Sequence, residues 1–557
     1  MTLPATIRPS VGQSLITKVS RLFNGTITDV LSEMLQNSRR AGATDVEIDL
    51  AQFDEKPTLI ISDNGWGIDD PANIVTLGQS GWNDDLARRE DPAGMGIFSL
   101  AGRRVRIRSF SRDAGRGWQV EIPADAWHGT AHLAVQPCDV LQGTSFLIEM
   151  PDIWMQQVEG AIKDVALYYP LAVRFQGKLL QREDFLAKAH RVEEWNGCRI
   201  GVFRNHDHEP PHPPRINFHG VKVPCHLPTV SEIDAPHRWI AKVDIVDAPA
   251  LQLVLPARKE MAESDALAAL RLEIEATTYR TIRAESEHRL PFKSWKRAAE
   301  LGISLPEAAE WLEAWQPTTA ENYQCEMGEP IREEPMIIIP AHEPDIEQCA
   351  AQVLNQDGMP LGYRAVRAEQ SLEGYSWYDE LPRVIELSFT IKRSEGVLSY
   401  SSDQSLPPDT SSGDAIDIRL LVPVARSAEY DDEPIAMLSI PLDILVCRND
   451  GSDLDEAIIF VRAGASVTPA RLASLMELCC FWHNDDSDCD SWDTQHREFE
   501  KNARNLANIL LLGEEEALLE HIRNAMHEEI LWLIPKDRRI EITASNNELS
   551  LLFADPA

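Results

Sequence analysis

The chain has 557 residues, 43% of them hydrophobic, and a formal net charge of −36, which is room for about three or four domains at roughly 150 residues each. No run of about 18 to 20 uncharged apolar residues is present to cross a bilayer, and the start MTLPATIRPS lacks the apolar core of a secretory signal, so the expected location is the cytoplasm. The charge is uneven: residues 1–300 carry 35 basic and 40 acidic side chains and 301–557 carry 18 and 49, a net of 18 − 49 = −31 that opposes direct nucleic-acid or anionic-membrane binding by the C-terminal half.

In chain order, the pattern predicts a helix from Gly25 to Ala41 closed by Gly42, then a strand with alternating Val46, Ile48 and Leu50. A second strand, Leu59-Ile60-Ile61, runs into the turn signal Asp63-Asn64-Gly65. Alternations at Val105 and Ile107, at Trp118, Val120 and Ile122, and at Phe146 and Ile148 complete a layered helix-and-sheet domain over residues 1–151. Residues 152–290 read as a second α/β unit, with a helical stretch from Asp152 to Tyr168, strands at 199–203 and 251–255, and a long helix from Ala266 to Arg283. Residues 291–335 form a helical connector, with Trp295, Trp311 and Trp315 in short helices, followed by an acidic linker. Residues 336–557 read as an acidic α+β region of unknown role. It has a long loop from Ser401 to Gly413 and helices at Pro469–Cys480 and Phe499–Leu512. The fold class is α+β.

Nine cysteines without repeated CxxC spacing argue against a disulfide framework or a standard zinc module. Cys479, Cys480, His483 and Cys489 have metal-ligand chemistry without zinc spacing, His206, His208 and His212 read as part of a solvated Pro-rich loop, and Asp485, Asp486, Asp488 and Asp490 form an acidic cluster.

Four short elements carry candidate chemistry. Glu33 and Asn37 lie four residues apart, on one face of the first helix, so a carboxylate able to polarise water sits one turn from an amide oxygen able to hold magnesium. Asp63, with Gly65 and Gly67 behind it, places a carboxylate where it can accept the amine of an adenine and lets the backbone pass close to the base. Gly94-Met95-Gly96 opens an apolar run whose first amides can hold phosphate. The 26 residues between Gly67 and Gly94 would form a lid. Gly143-Thr144 enters a strand and brings a small hydroxyl to back the Asp63 carboxylate.

In order and spacing, these four elements resemble the N box and the G1, G2 and G3 boxes of the GHKL superfamily (gyrase, heat-shock chaperone, histidine kinase, MutL) over residues of about 15 to 285. The resemblance implies a Bergerat-type α/β sandwich ATPase domain followed by a transducer-like domain, with ATP and magnesium bound. It assigns Glu33 as general base, Asn37 as magnesium ligand, Asp63 as adenine contact and the Gly94 to Gly96 loop to the phosphates. It also implies a basic residue reaching back to the γ-phosphate, for which Lys259, ahead of its neighbour Arg258, is the candidate. The short lead before Glu33 disfavours a histidine kinase. One departure is Arg40, which stands where the N box usually continues to an Asp. The expected function is an ATP-hydrolysing conformational switch with nucleotide-dependent homodimerisation, acting on a protein partner. The alternatives are a non-hydrolysing nucleotide-gated scaffold whose acidic half docks a basic effector, and a nucleic-acid enzyme, which the −31 charge opposes.

Overall fold

The computed structural model describes residues 26–75, 96–128, 132–206, 214–254, 260–321, 328–356, 359, 361–427, 434–448, 454–486, 489–536, 538–545 and 548–554. The chain divides into two compact units, Met1–Ala308 and Ala309–Ala557, and both mix helix with sheet.

Unit 1 begins with α1, Ile27–Arg40. Its N-cap Thr26 accepts the Asp29 N–H at 3.1 Å, and Gly42, at φ +65°, turns the chain away from its C-terminus. The apolar stripe Ile27, Val30, Leu31, Met34 and Leu35 is buried. At about 1.5–3 kcal/mol per fully buried large aliphatic side chain, that stripe holds the helix on the sheet. Two long strands follow, β1 (Asp45–Phe53) and β2 (Lys56–Asp63), and then β3 (Val105–Ser111), β4 (Arg116–Ile122), β5 (Val135–Cys138) and β6 (Thr144–Glu149). They form a sheet in the order β5-β4-β3-β6-β2-β1, which β7 (Ala172–Phe175) and β8 (Lys178–Leu179) extend. β7 pairs parallel to β1, so this sheet recruits chain from beyond residue 151. The expected helix at 152–168 is split into Asp152–Met155 and α2, Val158–Ala166, and the Ile162 and Val165 side chains of α2 share the α1 core.

The second sheet of unit 1 comprises β9 (Arg191–Trp195), β10 (Cys198–His206), β11 (Pro214–Phe218), β12 (Val221–Pro224), β13 (Thr229–Ser231) and β14 (His237–Ile245), in the order β12-β11-β14-β10-β9 with β13 on β14. The long helix α3, Asp265–Ile282, capped by Ser264, buries Leu267, Leu270 and Ile274 against it. Of the expected strand at 251–255, the described part shows only an isolated bridge, Leu253 to Met261.

Unit 2 is built on a sheet in which β15 (Met336–Ile339) pairs parallel to β16 (Arg364–Arg367) and to β17 (Arg383–Val384), while β18 (Ser388–Lys392), β19 (Val397–Ser401), β20 (Asp417–Ala425) and β21 (Ala436–Pro441) continue it antiparallel. Pro344–Leu354, Pro469–Cys480 and Trp492–Leu512 are helices, and a further helix runs from Glu514 to Glu529. Trp311 lies in the strand Trp311–Glu313 and Trp315 outside any helix, because Trp311 pairs with Arg332 across a two-stranded ribbon. Among the described residues, no helix is long and apolar enough to cross a membrane.

Candidate functional site

β2 ends on Asp63, which pairs in register with Thr144 at the start of β6. The Asp63 Oδ1 accepts the Gly65 N–H at 2.8 Å, and Oδ2 lies 3.3 Å from the Ser38 hydroxyl on α1. Burial pushes the Asp63 carboxyl above its ordinary value, while hydrogen bonds from the Gly65 amide, the Ser38 hydroxyl and the Thr144 amide pull it back. A half-buried carboxylate held by three donors and still carrying acceptor capacity suits recognition of an exocyclic amine. Thr144 therefore reaches Asp63 through its backbone, and its hydroxyl is 2.9 Å from Ser109 Oγ, which accepts the Ile68 N–H at 2.9 Å.

Two of the motif glycines are there for close backbone approach. Gly67, at φ +81°, would place a Cβ 2.1 Å from the Phe110 carbonyl oxygen, and Gly143, at φ +71°, would place one 1.9 Å from the Asp63 carbonyl oxygen. Neither gap holds a methyl group. Asn64 braces the backbone instead, its Oδ1 accepting the Thr44 and Asp45 N–H groups at 2.8 and 3.1 Å, which locks the end of β2 to the turn leaving α1.

Glu33 and Asn37 share a face of α1, and Arg40 completes that face one turn further on. Arg40 Nη1 donates to Asn37 Oδ1 at 3.2 Å and lies 3.9 Å from Glu33 Oε1. The Arg40 side chain is 4% exposed and that of Glu33 14%. The amide oxygen expected to hold magnesium is thus already engaged by a guanidinium that cannot lose its proton. A single pair of unit charges 4 Å apart is worth roughly 4 kcal/mol at a near-surface dielectric, so a divalent ion sharing that oxygen with Arg40 would be repelled strongly. As arranged here, Glu33, Asn37 and Arg40 do not fit a magnesium ion on Asn37.

The helix carrying this face is latched to the second sheet through Gln36 and to the segment between α2 and β7 through Tyr169. Gln36 Nε2 donates to the His219 carbonyl at 2.7 Å, and the Tyr169 hydroxyl donates to the Leu35 carbonyl at 2.6 Å. Burial holds the Tyr169 phenol well above its usual range. Beside this latch lies a cleft of about 450 Å³ lined by Arg39, Tyr168, Arg199, Asn217, His219 and Asp244 among others. Arg199 spans Asp184 at 3.1 Å and Asp244 at 3.3 Å, and Asn217 donates to Asp244 at 2.7 Å. The Arg199 guanidinium holds the Asp184 carboxyl down, whereas burial raises that of Asp244.

The structure brings Asp63, Gly65, Gly143 and Thr144 together, sets Gly67 against Phe110, and puts Glu33 and Asn37 on the helix whose Ser38 reaches Asp63. Gly96 opens a short 3-10 turn, Gly96–Leu100. Gly94, Met95, Arg258 and Lys259 lie outside the described residues, as do His208, His212 and Asp488. Among the described residues no group of three or more His, Cys, Asp or Glu could hold a metal ion. Cys479 and Cys480 are buried in the core of unit 2, and His483 pairs with Asp485 at 2.8 Å. Sequence reasoning missed Ser38, Ser109, Gln36 and Tyr169. Ser109 did leave a signal, since it stands in the buried phase of β3 after Val105 and Ile107, where an apolar residue is the norm. No family model matches the chain, and no curated protein matches it.

Proposed function

We propose that unit 1 is a Bergerat-type ATP-binding domain joined to a transducer-like sheet, and that the chain is an ATP-driven conformational switch acting on a protein partner. The observation that carries this reading is the setting of Asp63. It is a half-buried carboxylate at a strand end, with Gly143 packed against its backbone carbonyl and Ser38 of the helix that bears Glu33 hydrogen-bonded to it. In this reading adenine donates its amine to Asp63, and Glu33 takes the proton of a water that attacks the γ-phosphorus as the bond to the β-phosphate oxygen breaks. The Gln36 latch gives nucleotide-induced movement of α1 a route to the second sheet, and ATP then acts through its different affinities for two states, including a nucleotide-dependent dimer.

A second reading, a scaffold that holds ATP without turning it over, is favoured by one observation: Arg40 lies against Glu33 and competes with water for the carboxylate. Phosphate release and ATP binding by wild type and Glu33→Ala separate the two. The switch predicts that Glu33→Ala binds ATP but turns over at least about 100-fold more slowly, the usual size of a general-base contribution. If both proteins bind and neither hydrolyses, the scaffold reading takes over. If neither binds, the ATP reading is wrong.

A further inference from the structure

The face of α1 that the triphosphate would approach holds a carboxylate, Glu33, and lies toward the C-terminal end of the helix, where the backbone dipole is negative. A bound triphosphate needs positive charge there. The usual source is a divalent cation on an amide oxygen, but in this chain the cation is covalently part of the helix. Arg40 is buried, donates to Asn37 Oδ1 at 3.2 Å and lies 3.9 Å from Glu33 Oε1. A guanidinium presents five N–H donors in a planar fork suited to phosphate oxygens, stays charged at every physiological pH, and needs no hydration shell to be stripped.

We infer that Arg40 stands in for the divalent cation, so that the ligand of this site is the metal-free nucleoside triphosphate anion rather than its magnesium complex. The inference rests on the ATP reading above. On nucleotide entry the Arg40 fork turns part of its hydrogen bonding from Asn37 and Glu33 to the phosphate oxygens, which releases Glu33 toward water. A purely structural role is the competing account: a basic residue in the last turn of a helix stabilises the dipole wherever it stands. That role would leave the metal dependence of binding untouched by substitution.

The test is a titration of the full chain with a fluorescent ATP analogue, once with magnesium and once with EDTA, for wild type, Arg40→Gln, Arg40→Lys and Asp63→Asn. Circular dichroism of each variant reports folding. The expected result is a wild-type Kd that changes by less than about threefold on magnesium removal. Arg40→Gln should weaken by about tenfold or more in EDTA, the size of one charge-assisted hydrogen bond, and recover with magnesium, while Arg40→Lys, which keeps the charge without the fork, loses less than Arg40→Gln in EDTA. A wild type that loses about tenfold or more in EDTA, with binding in magnesium that Asp63→Asn weakens at least about tenfold, overturns the inference and leaves the ATP reading standing. Absence of binding under both conditions overturns both. Should Arg40→Gln not fold, the wild-type comparison and Arg40→Lys decide alone.

Discussion

Gly143→Ala tests the close packing of the candidate site most sharply. The added methyl would sit 1.9 Å from the Asp63 carbonyl oxygen, far inside contact distance, at a residue whose φ is +71°. The left-handed backbone costs a non-glycine residue roughly 1–2 kcal/mol. Relieving the clash means moving β6 away from β2 at the Asp63–Thr144 pair, where each hydrogen bond lost costs about 1 kcal/mol. The sum is about 2–4 kcal/mol, and the Asp63 carboxylate shifts with it. Gly115→Ala is the internal control: it has φ +64° but nothing within 4 Å of the added carbon, so it carries the backbone cost alone. Hydrogen–deuterium exchange over residues 56–63 and 144–149, together with the urea midpoint, reads the difference. Equal effects of the two substitutions would refute the close approach of Gly143 to Asp63.

Three further outcomes follow from the same geometry. Burial raises the Asp63 carboxyl above 3.8, so its contribution to stability is full below that value and is lost as pH rises through the raised one. Nucleotide affinity runs the opposite way and falls on acidification, with an apparent midpoint above 3.8 that Asp63→Asn removes, as a binding titration against pH will show. Gln36→Ala leaves the His219 carbonyl without its 2.7 Å donor at a cost of about 1–3 kcal/mol. It should keep nucleotide affinity yet abolish ATP-induced exchange protection in β11. Burial pushes the Cys480 thiol up to about 12 and holds those of Cys447 and Cys479 well above the usual thiol range, so timed alkylation with mass spectrometry should label exposed Cys489 first and these three only on unfolding.

What the sequence made legible depends on how local the governing physics is. The expected bounds of α1, Gly25 to Ala41, lie within two residues of the observed ones, and those of Pro469–Cys480 coincide with them; in the fold Thr26 and Thr468 cap these helices and proline occupies the first turn of the second. The site glycines were recognisable as a spaced set, but the reason for each one, such as the Asp63 carbonyl against Gly143, joins residues 80 apart and is visible only in the fold. The same holds for β7, which pairs with β1 across more than 120 residues and carries the first sheet past the expected boundary. The expected helix begins only at Phe499 rather than Trp492, since the first turns, Asp493 to Glu498, are polar and show no apolar period. Arg40 was visible as a departure from the motif. That its guanidinium meets both Asn37 and Glu33 needed side-chain positions.

The most direct test of the central claim is calorimetric titration of the full chain with ATP, wild type beside Asp63→Asn. The account predicts one site per unit 1 in wild type and a loss of at least about tenfold in affinity for Asp63→Asn, the value of one hydrogen bond to a charged carboxylate. ATP binding of equal strength in both proteins, or none in wild type, would contradict it.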